Sequence, residues 1–125
     1  MNYISIDYGT RKSGLAYSVE GFCFAWKTVS TTDILNIVPK WATERKAEAI
    51  IVGMPYNIDG SMSKHGKRVG GFIKKLETVT TLPVMIHDER LSTSEALLGF
   101  DEYGVNGDVD AEAARLILID FLNKK

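Results

Sequence analysis

The chain has a single cysteine, Cys23, so it cannot close a disulfide within itself, and a reducing compartment suits it. Cys23 sits in an apolar, strand-like run and reads as a buried, inert thiol. No apolar run approaches the roughly 20 residues that a membrane-spanning helix needs, so no membrane is expected as a partner. The start shows no charged-then-apolar leader, because strand-like residues begin almost at once; a cytoplasmic location is expected. An excess of positive charge is lacking too. With a formal net charge of −1 there is no global attraction to nucleic acid, so any such contact needs a local basic patch or metal ions. Neither His65 nor His87 has a second histidine or cysteine at zinc-ligand spacing. No internal repeat, linker or low-complexity tract divides the 125 residues, whose 45% hydrophobic and 25% charged content is ordinary for a globular protein. One domain covering 1–125, with a real core, is the expectation.

Ile4 and Ile6 alternate with smaller or polar residues, which predicts a first strand. Leu15–Val19 and Phe22–Val29 read as the next two, joined by a turn at Glu20-Gly21, so an antiparallel meander follows. The period then changes. Ile34, Ile37, Val38 and Trp41 fall at helical spacing behind Thr32 or Asp33 as a cap, with Pro39 expected to kink or split the helix. Ala49–Gly53 has the continuous apolar character of a strand buried on both faces. A turn-rich loop leads to an amphipathic helix bearing Val69, Phe72, Ile73 and Leu76, in which Gly70 and Gly71 each cost about 1 kcal/mol relative to alanine. Val84–His87 reads as another buried strand. Ser92 and Glu95 then form a capping box, and a loop from Gly99 to Gly107 follows. The last helix, Ala111 to about Asn123, is apolar nearly all round and should be the most buried. The sum is an α/β fold: a mixed five-stranded sheet, three strands in a meander and two parallel, flanked by helices.

The chemistry gathers where the predicted strands end. Asp7 closes the first strand, and Gly9 and Gly14 are expected to let the chain turn sharply beside the cations Arg11 and Lys12. That is a plausible seat for a metal ion and a phosphate, although a tight hairpin with a capping acid explains the same residues. Asp88 and Glu89 close the last strand, Asp108 or Asp110 starts the last helix, and Asp110 can face the same crevice if that helix packs across the sheet. Ligands of open α/β sheets sit outside the carboxyl ends of the parallel strands, and acids meeting there repel unless cations bind them. Oxygen-loving ions such as Mg²⁺ or Mn²⁺ suit such a group and could support phosphoryl transfer. Each acid alone is more commonly a strand end, a solvated loop residue or a helix cap. Lys64, Lys67 and Arg68, at the start of the amphipathic helix, are candidate phosphate contacts on a run that otherwise keeps the helix soluble. His65 reads as exposed, and His87 as a hydrogen-bonded strand end.

Asp7-Tyr8-Gly9-Thr10-Arg11-Lys12-Ser13-Gly14, Ile51 to Gly60, Asp88-Glu89-Arg90-Leu91-Ser92-Thr93, and Asp110 before an alanine-rich helix together resemble the YqgF family. Those are Holliday-junction-resolvase-like nucleases of ribonuclease H-like fold, many of them assigned to pre-16S rRNA. The resemblance spans nearly the whole chain in matching order. It implies that Asp7, Glu89 and Asp110 are the catalytic, metal-binding acids, with Asp88 a neighbour or alternate ligand. It implies that Arg11 holds a phosphate or steadies the Asp7 turn, and that Asn57 and the loop from Gly53 to Gly60 border the substrate cleft. Arg90 would contact backbone phosphate or pair with Asp88 or Glu95. One departure stands out: the stretch before the final acid, 99–108, is short and acidic where the family carries basic residues. Asp108 there competes with Asp110 for the metal role, and affinity could call on a second subunit, a homodimer, or a protein partner.

The expected function is a metal-dependent endonuclease acting on structured nucleic acid, foremost the 5′ end of pre-16S rRNA. The alternatives are a resolvase for branched DNA and a non-catalytic RNA-binding module of the same fold. An actin-like phosphotransferase opens with a similar Asp-x-Gly turn but needs a second nucleotide-binding domain, for which this chain has no room.

Overall fold

Five strands form one mixed sheet in the order β3-β2-β1-β4-β5: β1 Tyr3–Asp7, β2 Lys12–Val19, β3 Phe22–Ser30, β4 Ala49–Met54 and β5 Val84–Asp88. The computed structural model describes residues 1–89 and 109–124. β1, β2 and β3 are the antiparallel meander, and β4 lies parallel to β1 and β5 parallel to β4. β1 and β4 are central and lined by residues with almost no exposure, which is why β4 reads as an unbroken apolar run.

The strand period of two sends alternate side chains to two layers. Ile4, Ile6, Leu15, Ile50, Val52 and Met54 point to one face, where helices α1 (Ile34–Glu44) and α2 (Lys64–Val79) cover them. Tyr3, Ala49 and Ile51 point to the other and meet Ile117 and Leu118 of α3 (Val109–Lys124). α3 has the fewest exposed side chains of the helices, in line with its all-round apolar character: among its described side chains only Val109 and Asn123, at its ends, are exposed. Ser5 Oγ donates to the Ala114 carbonyl at 2.7 Å, fastening α3 to the middle of the sheet. Cys23 is half-buried against this second layer, and burial pushes its thiol up.

Four expectations are corrected. Pro39 does not divide α1, which runs unbroken from Ile34 to Glu44. Proline removes one helical hydrogen bond, but Val38, Trp41 and Ala42 on either side of it are buried, and Trp41 stacks on Trp26 at 4.2 Å. Tertiary packing outweighs the local loss. Neither Thr32 nor Asp33 caps α1 through its side chain; the chain enters through a 3-10 turn, Thr31–Asp33. β5 is an edge strand and not a buried one, with Met85 42% and Ile86 50% exposed and His87 facing α3. Gly14 lies within β2, paired with Asp7, and makes no turn. Its lack of a side chain serves α3 instead: a Cβ there would collide with the backbone carbonyl of Asp110. The predicted capping box at Ser92 and Glu95 and the loop 99–107 lie outside the described residues.

Gly14→Ala is therefore expected to push α3 away from β2 and to destabilise the protein by roughly 1–3 kcal/mol, the usual penalty of overpacking a close contact. Urea denaturation measures this, and a variant as stable as the parent would show that α3 has slack at this point.

Candidate active site

β1 and β4 run parallel, so their carboxyl ends open on the same edge of the sheet, and β5 adds the end of a third strand beside them. Asp7 is the last residue of β1. Its neighbour Ile6 faces α1 and α2, so Asp7 faces the α3 layer. Asp110 is in the first turn of α3, whose backbone rests on Gly14, the β2 residue paired with Asp7. Glu89 follows β5 and lays its carboxylate over Gly53 of β4, where a Cβ would collide with Glu89 Oε1 and come within 2.7 Å of Ile117 Cδ1. Glycine at 53 thus leaves room for the Glu89 carboxylate as it stands.

The electrostatics report the same convergence. Burial, then the Glu89 charge, then the Asp110 charge push the Asp7 carboxyl from an ordinary 3.8 up to about 7, while His65 pulls it down. Burial and the Asp88 charge raise Glu89 as well. Buried carboxylates that resist ionisation next to one another are a donor set for a hard divalent cation, which would relieve both the desolvation and the repulsion. As the side chains stand, no three histidine, cysteine, aspartate or glutamate side chains among the described residues are close enough to grip one ion together. The donors fit such an ion chemically and would have to close on it.

The turn after Asp7 is held by side chains that sequence reasoning missed. Ser13 Oγ accepts from the Gly9 amide at 3.1 Å, Thr31 Oγ1 donates to the Gly9 carbonyl at 2.7 Å, and the two hydroxyls bond each other at 2.8 Å. The Thr31 amide donates to the Arg11 carbonyl at 2.9 Å. A Cβ on Gly9 would collide with the Lys12 carbonyl, so the expected need for glycine holds there. His65 is not simply exposed: Nε2 lies 2.9 Å from the Tyr8 carbonyl, which can only accept, and the imidazole stacks on the Tyr8 ring. Its place in the first turn of α2, directly after the loop that follows β4, was the available signal.

The remaining candidates are spread around this edge. Asp88 ends β5 opposite Met54 and acts on Glu89. The exposed Arg11 side chain borders a shallow groove with Lys12, Thr28, Val29 and Ser30. Asn57 spends its amide within its own loop, donating to Ser61 Oγ at 2.9 Å. Lys64, Lys67 and Arg68 are exposed on α2, and Ser63 caps that helix by accepting from the Gly66 amide at 2.8 Å. Helical spacing makes Lys64 a neighbour of both Lys67 at i+3 and Arg68 at i+4. Arg90 and Asp108 lie outside the described residues. His87 is buried and pairs with Asp120 of α3 at 2.6 Å, so its role is to tie the edge strand to the helix.

Comparison with known proteins points to one family. The model of the family described as "RuvX: Holliday junction resolvase" matches residues 1–124. A relative from Nitratidesulfovibrio vulgaris, named "Putative pre-16S rRNA nuclease", is 36% identical, with 98% of this chain and 94% of that protein covered. One of the same name from Buchnera aphidicola is 34% identical, with 94% and 93% covered. Among solved structures, Thermus thermophilus RuvC in complex with a Holliday junction substrate superposes with a TM-score of 0.66 at 17% identity, covering 99% of this chain and 96% of that one. At that identity the likeness is one of fold, and the fold is ribonuclease H-like, as expected.

The acid cluster makes the metal-free protein pH-sensitive in a stated direction. In the unfolded chain Asp7 ionises near 3.8, but in the fold it keeps its proton up to about 7. Unfolding therefore releases a proton in that interval, and stability falls as pH rises from about 4 to about 7, then levels off for this group. Glu89 is shifted in the same sense. Denaturation midpoints across this range, with a chelator present, should decline more steeply for the parent than for Asp7→Asn, and equal slopes would contradict the convergence of charges.

Proposed function

The chain belongs to the RuvX family of Holliday junction resolvases, and from that membership and the acid cluster we propose a divalent-metal-dependent endonuclease of structured nucleic acid. The substrate we favour is the 5′ end of pre-16S rRNA, processed in the cytoplasm by a single domain. The observation that carries the reading is the buried Asp7 carboxyl at the carboxyl edge of the sheet, pushed up by burial and by the Glu89 and Asp110 charges beside it. A carboxyl held so is unfavourable for the fold by itself, and a bound cation is what makes it useful.

In this reading Asp7, Glu89 and Asp110 hold Mg²⁺ or Mn²⁺, with Asp88 beside them. The ion, when bound, supplies a water of lowered pKa and neutralises charge on the phosphate undergoing in-line attack. The chain's own residues prepare the place. Ser13 and Thr31 fix the turn that follows Asp7, so its carboxylate has little freedom to swing away. Gly53 and Gly14 let Glu89 and the Asp110 backbone come close. His65 offers Nε2 to the Tyr8 carbonyl and adds positive character near Asp7. Arg11 and the cations of α2 lie outside the cluster, where they can take the flanking phosphates.

Branched DNA is the second reading, because the family description and the RuvC complex both concern Holliday junctions. Parallel assays on a labelled 16S precursor and on a four-way DNA junction separate the two.

Glu89→Gln is expected to lower Mn²⁺-dependent cleavage by roughly two to three orders of magnitude, the scale on which removing one charge-stabilising group acts. Its circular dichroism should match the parent. Asp7→Asn should be equally inactive yet more heat-stable than the parent at neutral pH without metal, since it removes a buried carboxyl that resists ionisation. Full activity in Glu89→Gln would remove that residue from the metal set.

A further inference from the structure

A cleft of about 550 Å³ runs between α1 and α2, beside the end of β1 that carries Asp7. Tyr8 lies at its sheet end, Thr10 and Thr32 on one wall, and Arg68, Gly71 and Lys75 on the other. Arg68 and Lys75 share one side of α2, about 10 Å apart along its axis, with Gly71 between them. Neither cation forms an ion pair with a described residue. Thr10 and Thr32 line the same cleft.

Gly71 is the informative residue. Glycine is the poorest helix former short of proline, so one in the middle of α2 calls for a reason. For Gly66 in the same helix the reason is packing, since a Cβ would lie 2.8 Å from Met62 Sδ. At Gly71 a Cβ would meet nothing within 4 Å among the described residues. Their packing therefore does not require glycine at 71, but a ligand passing close to the helix backbone between two cations would. Gly70 is equally free of neighbours and does not line the cleft, which makes it the control.

We infer that this cleft holds one single-stranded phosphodiester stretch of the substrate, a nucleotide or more beyond the bond at the acid cluster, with its backbone pressed on Gly71 and its phosphates on Arg68 and Lys75. The inference rests on the nuclease reading above and gives it a path. The ligand is polyanionic because two cations with no ion pair among the described residues bracket the contact, and extended because they lie two helical turns apart. A space of about 550 Å³ suits a short piece of one strand. The Tyr8 ring, stacked on Phe72 at 4.7 Å, offers an apolar surface to a sugar or base at the end nearest Asp7.

The test uses full-length Asp7→Asn, so that binding is read without cleavage, and a fluorescent RNA hairpin with single-stranded extensions. Adding Gly71→Ala should raise the melting temperature and weaken binding roughly tenfold, the scale on which one intruding methyl disturbs a close contact. Gly70→Ala should raise the melting temperature and leave affinity unchanged. Arg68→Gln with Lys75→Gln should weaken binding and reduce the slope of log affinity against log salt by about 1.4, two phosphate contacts on a single strand. A blunt hairpin lacking extensions should not distinguish Gly71→Ala from its parent. Unchanged affinity in Gly71→Ala, an unchanged salt slope in the double variant, or no binding of the extended hairpin by the parent would each overturn the inference. Cleavage surviving in Asp7→Asn would overturn the nuclease reading instead, whatever the binding values.

Discussion

The arrangement of the carboxyl edge depends on one backbone contact, that of α3 with β2 at Gly14. A helix laid across a sheet normally stands off by the thickness of its side chains. Here the absent side chain lets the first turn of α3 touch the strand, so Asp110 arrives beside the residue that pairs with Asp7. Farther along, Ser5 bonds the Ala114 carbonyl and His87 pairs with Asp120, so the helix is fastened to the sheet at its start, its middle and near its end.

The contact has an opposite consequence for stability. Bringing Asp110 and Glu89 toward a buried Asp7 raises the free energy of the ionised fold, and the apolar layers on both faces of β1 and β4 must offset it. This accounts for where rigidity is placed. The turn after Asp7 is clamped by hydroxyls from β2 and from the 3-10 turn before α1. Like charges are kept together by neutral hydrogen bonds and packing, which do not weaken when the acids ionise.

Much of this could be read from the chain, because periodicity is a local signal. The alternation at Ile4 and Ile6, the apolar run of β4 and the heptad-like spacing of Val69, Phe72, Ile73 and Leu76 located their elements, and Asp7 was conspicuous as an acid where a strand gives out. What escaped were features decided by residues distant in sequence. Gly14 looks like a turn glycine until α3 lies on it. Pro39 looks like a helix breaker until Trp41 is seen stacked on Trp26. The apolar letters of β5 do not reveal that it stands at the edge. Ser13 and Thr31 carry no spacing signature at all, since hydroxyls that brace a turn resemble hydroxyls that face water.

The two groups of glycines in this fold then have different explanations, and the difference is physical. Gly14 is required by the protein itself, because a Cβ would strike the Asp110 backbone, and Gly53 and Gly66 leave room for the side chains of Glu89 and Met62. Gly70 and Gly71 strike nothing among the described residues, so alanine there is expected to be tolerated and to add helix stability. A helix that carries basic residues beside the carboxyl edge, and leaves its backbone bare between two of them, is shaped for something outside the chain. The same sheet edge that gathers acids for a cation thus presents, on its other side, bare backbone and cations suited to an anion. A phosphodiester crossing that edge would meet both.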